Sequence, residues 1–442
     1  MRFKSEKRPF KLFLIPIAVA LITFSFSSHF PQANQVEKIV LDNGLTLLIK
    51  ENHTSNIVAL EAFVRGGVRA EPEGKAGLAE LTQRMLLKGT ENRTEEEIFT
   101  RVESVGAKLF QKTWPDFGAV YLLSRKATMD EVLPVWRDVL LHPSFPASAL
   151  GSTKGHILDE IEASRDDKFE EVYRKFRATL YGDKAYGKPM LGYKDTVKSL
   201  SKEDLIDFYE SYYIPDNMVI TAVGDFEAEE MSQRLRDYFA QLEVGKGAQK
   251  SKEGKDRIEL TENKEVSLRR ETRVAWSILG YPAPPLSSPD YPKLKLLYTV
   301  LGRGMSSRLF EKLRKEKGLV YSTGSFYPSR LGTSHFVNYA VSAPGQAEKA
   351  KEAILQVIRE IEEGGITEEE MSRGKNYLKG QFLMEHETVQ QQAWRLGWYE
   401  TMGVGYEMDE RYPKLIEQVT VQDLKEVIRE YFDHYIWATL KP

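Results

Sequence analysis

The strongest potential metal ligands in this 442-residue chain are seven histidines: His29, His53, His142, His156, His335, His386 and His434. No two lie four apart, so no single helix face carries two imidazoles, one turn apart, to the same ion. His156 and Glu160 are four apart and could share a helix face. They read either as the start of a metal site or as an ordinary polar surface, and no third ligand accompanies them in sequence. Residues 77–90, Gly-Leu-Ala-Glu-Leu-Thr-Gln-Arg-Met-Leu-Leu-Lys-Gly-Thr, place Glu80, Gln83 and Arg84 close together on a helical pattern. Arg84 keeps its proton and cannot ligate a cation, and Gln83 cannot take a proton from water. With no cysteine in the chain, Cys-ligated zinc and disulfides are both excluded.

Arg314 and Tyr321, seven residues apart in Leu-Arg-Lys-Glu-Lys-Gly-Leu-Val-Tyr, form a second group. Arginine is a permanent donor fork, and a phenol donates a hydrogen bond without competing for a metal. Periodicity alone leaves a plainer reading open: a surface arginine among Lys312, Lys315 and Lys317, followed by a half-buried strand tyrosine. Gly302-Arg-Gly-Met-Ser-Ser307 lacks the Gly-Lys-Ser/Thr ending of a phosphate loop and reads as a turn into a helix, which Arg308 anchors.

These residues need a scaffold, and the chain has ample material for one. Its length and 41% hydrophobic content suffice for two or more packed domains. A net charge of −3 offers no basic excess for a phosphate backbone, which argues against nucleic acid as a partner. At the start, Arg2, Lys4, Lys7, Arg8 and Lys11 precede an apolar run over residues 12–26 and the small residues Ser25, Ser27 and Ser28. Residues 1–28 are therefore expected to be an export signal, with the periplasm as destination in a bacterial chain. The alternative is an uncleaved anchor, although the run is short of the roughly 20 apolar residues a span needs. The missing cysteine argues against a lipid anchor.

Residues 39–49 alternate around an Asn-Gly turn and predict a hairpin. Strands are expected over 58–64, 120–123 and 217–223, and helices over 77–87, 94–105 and 129–141. A long helical stretch covers 148–181, and Ser201 caps a further helix. Residues 244–257 turn to Gly, Lys, Gln and Ser and read as a linker. Beyond it the pattern repeats. Residues 199–213 match 418–432 in type, with Asp204 over Asp423, Leu205 over Leu424 and Tyr212 over Tyr431. The helix ending at Gly89 pairs more weakly with one ending near Gly304. The expected architecture is α+β, with two homologous halves over 36–243 and 258–442, each a mainly antiparallel sheet with helices against one face. The aromatic segments 394–406 and 431–437 are read as core and interface.

The frame at 77–90 resembles the zinc helix of the pitrilysin/insulinase peptidases, in which His-x-x-Glu-His sits inside the same Gly-Leu-Ala and Lys-Gly-Thr flanks. Also similar are the Asp-Asn-Gly hairpin, residues 192–200, the Tyr212-Tyr213-x-Pro-x-Asn-Met218 turn, Val223-Gly-Asp225 and Gly304-Met-Ser-Ser-Arg-Leu-Phe-Glu-Lys-Leu-Arg314. The likeness runs from about residue 36 to 437. It implies that Glu80 and Arg84 replace the two zinc-binding histidines and Gln83 the general base. By spacing, Glu160 matches the third ligand, so one ligand of three remains and no metal is expected here. If Arg84 keeps its place, its guanidinium is expected near Glu160 and Glu80, standing in for the ion's charge. The resemblance also implies that Arg314 and Tyr321 bind a peptide carbonyl and steady the oxyanion. Phe110 falls where the family usually has an Asn beside the cleavage site.

The expected function is thus that of a zinc-free subunit. A homologous partner would carry His-x-x-Glu-His and the zinc, the substrate would be a peptide or unfolded protein, and this chain would hold no cofactor. One alternative is an inactive scaffold of the same fold. Another is a self-sufficient peptidase using Glu80, His156 and Glu160, which lacks a base at Gln83.

Overall fold

The computed structural model of the chain describes residues 35–243 and 258–442. The expected export segment 1–28 and linker 244–257 lie outside the described residues.

The Asp-Asn-Gly hairpin forms as β1 (Glu37–Val40) and β2 (Thr46–Glu51), paired antiparallel. After β3 (Ile57–Val64) comes α1 (Leu78–Met85), the helix of the 77–90 frame. Thr94 then caps α2 (Glu95–Ser104) in a reciprocal box with Glu97. Next are β4 (Lys108–Thr113), β5 (Gly118–Arg125), α3 (Met129–Leu141), α4 (Ala147–Ala163) and α5 (Lys168–Tyr181). The half closes with α6 (Lys194–Ser199), α7 (Lys202–Tyr212), β6 (Met218–Gly224) and α8 (Ala228–Phe239).

The second half opens with β7 (Lys264–Arg269), β8 (Ala275–Ala283) and α9 (Tyr291–Gly302). A π-helical segment, Phe310–Glu316, leads into β9 (Val320–Phe326) and β10 (Ser334–Ser342). Four helices follow: α10 (Ala347–Gly364), α11 (Glu368–Met384), α12 (Val389–Thr401) and α13 (Met408–Gln418). The last elements are α14 (Val421–Tyr431) and β11 (Ile436–Lys441).

The strand orders are β1-β2-β6-β3-β5-β4 and β7-β11-β8-β10-β9. Apart from the extra β1, the two sheets correspond strand for strand. Each has one parallel pair, β2 with β6 and β7 with β11, and is otherwise antiparallel. The matched sequence blocks become α7 and α14, each opened by a capping box: Ser201 with Asp204, and Thr420 with Asp423. The chain is therefore a duplicated α+β fold.

Two sequence expectations are corrected. Residues 148–181 are two helices, because the turn at Ser164–Asp166 ends α4 and the Asp167 side chain accepts from the Glu170 amide to start α5. The break lets α5 leave its own half. Val172, Phe176 and Leu180 pack against Ile278, Val337 and Ala438 of the second sheet. In return, Ala393 and Leu396 of α12 join the cluster containing Leu48, Phe63 and Val219 of the first sheet. Helices thus cover both faces of each sheet rather than one, because each half lends the other a helix.

The two exchanges share one tight contact in opposite senses. A Cβ on Gly397 of α12 would lie 2.2 Å from the Phe63 ring of β3, and a Cβ on Gly280 of β8 would lie 2.2 Å from the Phe176 ring of α5. Phe63 lies on β3 and Gly280 on β8, strands that hold the corresponding place in the two sheets. Each contact joins a phenyl ring to a glycine, with the partners swapped between helix and strand.

Candidate functional site

Helix α1 is fixed at its start by backbone packing. Gly77 has φ of 96°, and a Cβ there would lie 2.8 Å from the Leu191 carbonyl oxygen. Gly192 has φ of 77° and approaches Ala76 so closely that a Cβ would lie 2.3 Å from its carbonyl oxygen. Glu71 supplies the cap: its Oε1 accepts from the amides of Gly77 and Ala79, both at 3.0 Å. Burial pushes this carboxyl up to about 8, against those two hydrogen bonds and nearby Lys188. Sequence spacing carried no sign of this residue, because Glu71 reaches the helix end from the preceding loop.

One turn in, the structure brings Glu80, Arg84 and Glu160 together. Arg84 Nε donates to Glu80 Oε1 at 2.7 Å, and Nη1 and Nη2 donate to the two oxygens of Glu160, also at 2.7 Å. The fork from α1 to α4 is bidentate and charge-assisted. The hydrogen bond to Glu160 raises the Arg84 pKa, and the same bond lowers that of Glu160. His156 lies on α4 beside them, lining the same cleft of about 560 Å³ with Gln111, Lys112 and Thr113 of β4.

Gln83 faces the other way. It is buried, its Nε2 donates to the Ala119 carbonyl of β5 at 2.7 Å, and its Oε1 accepts from the Tyr213 hydroxyl. Gln83 thus ties α1 to the sheet and to the end of α7.

As a donor set these residues do not fit zinc. A permanent cation occupies both oxygens of Glu160 and one of Glu80, the carboxylates that would have to ligate, and no neutral imidazole stands on α1. The self-sufficient reading with Glu80, His156 and Glu160 meets the same obstacle.

Arg314 and Tyr321 lie elsewhere, and neither lines the Arg84 cleft, whose walls come from the first half alone. Arg314 projects from the π-helical segment with its guanidinium 5.2 Å from the Phe310 ring, and Tyr321 is the second residue of edge strand β9, with 59% of its surface exposed. The neighbouring carboxylates are taken by lysines: Glu316 by Lys312 at 3.0 Å and Glu311 by Lys315 at 2.9 Å. Among the described residues Arg314 has no ion pair. π-Helical turns recur at functional sites. Arg308, by contrast, grips Glu370 at 2.6 and 2.8 Å and the Gly365 carbonyl at 3.0 Å, so it anchors its helix to the start of α11. Phe110 sits half-exposed on edge strand β4, stacked on Tyr121 with centroids 4.5 Å apart.

The chain matches known proteins over most of its length. A family model described as "Insulinase (Peptidase family M16)" matches residues 46–194, and one described as "Peptidase M16 inactive domain" matches residues 199–378. The chain belongs to peptidase family M16. It is 25% identical to an uncharacterized zinc protease of Bacillus subtilis over 92% of this chain and 98% of that one. It is 27% identical to an uncharacterized zinc protease of Streptomyces coelicolor, over 89% and 87%. A Helicobacter pylori protease of solved structure superimposes with a TM-score of 0.86 at 21% identity, over 93% of this chain and all of that one. A Pseudomonas fluorescens protein described as a peptidase M16 inactive domain gives 0.85 at 20% identity, over 92% and 98%. At such identities these two structures bear on the fold alone.

Proposed function

We propose that this chain is the zinc-free subunit of a two-chain M16 metallopeptidase, exported by its basic and apolar N-terminus. A homologous partner with His-x-x-Glu-His would carry the zinc. Arg314 and Tyr321 of this chain would meet the substrate carbonyl in the partner's site, where preoriented donors stabilise a developing oxyanion.

The observation that carries this reading is a contrast. On α1, where the resemblance implies a zinc ligand, Arg84 is saturated by Glu80 and Glu160, whereas Arg314 and Tyr321 are exposed, with the adjacent carboxylates already paired to lysines. Strands β4 and β9 each end a sheet, so an extended peptide could add as a further strand, which favours broad sequence tolerance. The relatives named as zinc proteases support a peptidase setting.

The test combines the full chain with a His-x-x-Glu-His homologue from the same cell and follows cleavage of an unfolded polypeptide. Neither chain alone should match the pair, and Arg314→Ala or Tyr321→Phe should lower kcat by about 10²-fold with the complex intact. An intact complex whose activity ignores both substitutions would favour an inactive scaffold instead. Chelator-sensitive hydrolysis by this chain alone would overturn both readings.

A further inference from the structure

A second cleft, of about 330 Å³, opens between α9, α11 and α12 in the second half. Neither Arg314 nor Tyr321 lines it. Its floor is Lys295, which is partly buried. The ammonium donates to the Tyr327 carbonyl at 2.8 Å and lies 5.1, 5.6 and 5.3 Å from the rings of Tyr291, Tyr298 and Tyr327. No carboxylate among the described residues pairs with it. A desolvated ammonium with one carbonyl and three ring faces lacks the anion that would balance it.

The wall across from it is Arg395 of α12. Its guanidinium lies 5.3, 5.4 and 5.7 Å from the rings of Trp394, Trp398 and Tyr399, and it is paired with Glu385. Its Nε is nonetheless buried without a hydrogen-bond partner among the described residues, and so is Oε1 of Gln381 on α11. Gln381 Nε2 donates to Glu385 at 3.0 Å, so that carboxylate already serves two groups of the cleft. The charge balance is therefore one cation in excess. Most of the remaining lining is aromatic, with Trp398, Phe382 and Tyr412 facing the same space beside Ser329, Leu378 and Gln391.

We propose that this cleft binds a small carboxylate with an aromatic or aliphatic body, its anionic head on Lys295 and its body against the tryptophan wall. Apolar walls with a few placed polar groups are the usual make-up of a ligand pocket, and this volume suits a single ring with a short acid chain. The proposal does not depend on the chain's role as a peptidase subunit. Trp394 also lies 6.5 Å from Trp114 of the first half, so an occupant would rest on the seam between the halves.

The cleft's titration gives the proposal a signature. Burial, reinforced by Arg395 and Arg330, lowers the Lys295 ammonium to about 7. Of the other groups facing it, Tyr291, Tyr298, Tyr327, Tyr399 and Tyr412 are all raised by burial and stay neutral, and Glu385 is held by Arg395. A bound anion requires the charged amine. Binding at pH 8 should therefore take up a proton, and affinity should fall about tenfold per pH unit above roughly 7.

The experiment is calorimetric titration of the full chain with 3-phenylpropionate and with its neutral match 3-phenylpropanamide, alongside tryptophan fluorescence. The acid should bind at least about tenfold tighter than the amide, quench fluorescence through Trp394 and Trp398, and show proton uptake at pH 8. Lys295→Met should remove this preference while leaving the circular dichroism spectrum unchanged. Equal binding of acid and amide, an unaltered response in Lys295→Met, or no response at millimolar acid would overturn the proposal. Should Lys295→Met fold poorly, the pH profile of the unmodified chain decides: a flat profile overturns it, and a fall above about 7 supports it.

Discussion

Arg84 holds both carboxylate oxygens of Glu160 in a fork of two 2.7 Å hydrogen bonds, and its third donor holds Glu80 at the same distance. A guanidinium thus joins α1 to α4 at the place where the family's resemblance sets a metal ion. Its charge spares the two carboxylates from facing one another uncompensated.

Arg84→Leu should therefore destabilise the fold. Glu160 is half exposed, so solvent screens much of the pair, and the expected loss is about 1–2 kcal/mol. Urea denaturation of the two proteins measures it. An unchanged midpoint would show that the fork contributes nothing to stability.

Restoring ligands should restore metal. Glu80→His with Arg84→His removes the cation and sets two imidazoles beside Glu160. Elemental analysis should then find about one zinc per chain. The unmodified protein, purified the same way, should contain almost none. Zinc near one in the unmodified chain would sink the zinc-free reading.

Gln83 is expected to resist the change to its acidic counterpart. Gln83→Glu would point a carboxylate at the Ala119 carbonyl, losing the 2.7 Å hydrogen bond in a buried site. A cost of about 2–3 kcal/mol is expected, visible as a lowered melting temperature. Melting at the original temperature would mean that the carboxylate finds another donor.

The exchanged helices should tolerate no added methyl at their tight contacts. Gly280→Ala and Gly397→Ala each put a Cβ 2.2 Å from a phenyl ring. Each should cost about 1–3 kcal/mol through overpacking. Pairing Gly397→Ala with Phe63→Leu should recover part of the loss. Double-mutant thermal melts would test that coupling.

Stability should fall toward both ends of the pH scale for two identifiable reasons. Burial raises Glu71 to about 8, above its unfolded value, so the stability it leaves intact below about pH 4.5 is lost as pH rises toward 8. Glu370 behaves oppositely. Burial pushes it up, but Arg308 and the cap at Thr367 outweigh this and hold it at about 2. Its contribution is present above about pH 4.5 and is lost as pH falls toward 2. Each shift corresponds to a few kcal/mol at most, on the order of 1.4 per pKa unit. Glu71→Gln should flatten the alkaline limb of a stability profile, and Glu370→Gln the acid limb.

Much of this protein was legible along the chain. That Arg84 cannot ligate a cation and Gln83 cannot take a proton from water follows from residue type alone, since no protein environment gives either side chain the missing capacity. The repeat of 199–213 at 418–432 revealed the duplication, since capping boxes and helix periodicity are local signals. The hairpin at Asp42-Asn43-Gly44 and the anchoring role of Arg308 were likewise readable from neighbours in sequence.

Tertiary structure alone decided the rest. The end of α4 and the departure of α5 to the other sheet depend on which surface Phe176 can bury, and Gly280, the residue beneath it, lies far along the chain. Periodicity shows that a helix has an apolar face but not which sheet receives it. Glu71 as the cap of α1, Gln83 as a tie to Tyr213 and Lys295 with no counter-ion among the described residues are facts of the same kind. A side chain's type is written in the sequence. Its solvent, its partner and hence its charge are set only when distant segments close around it.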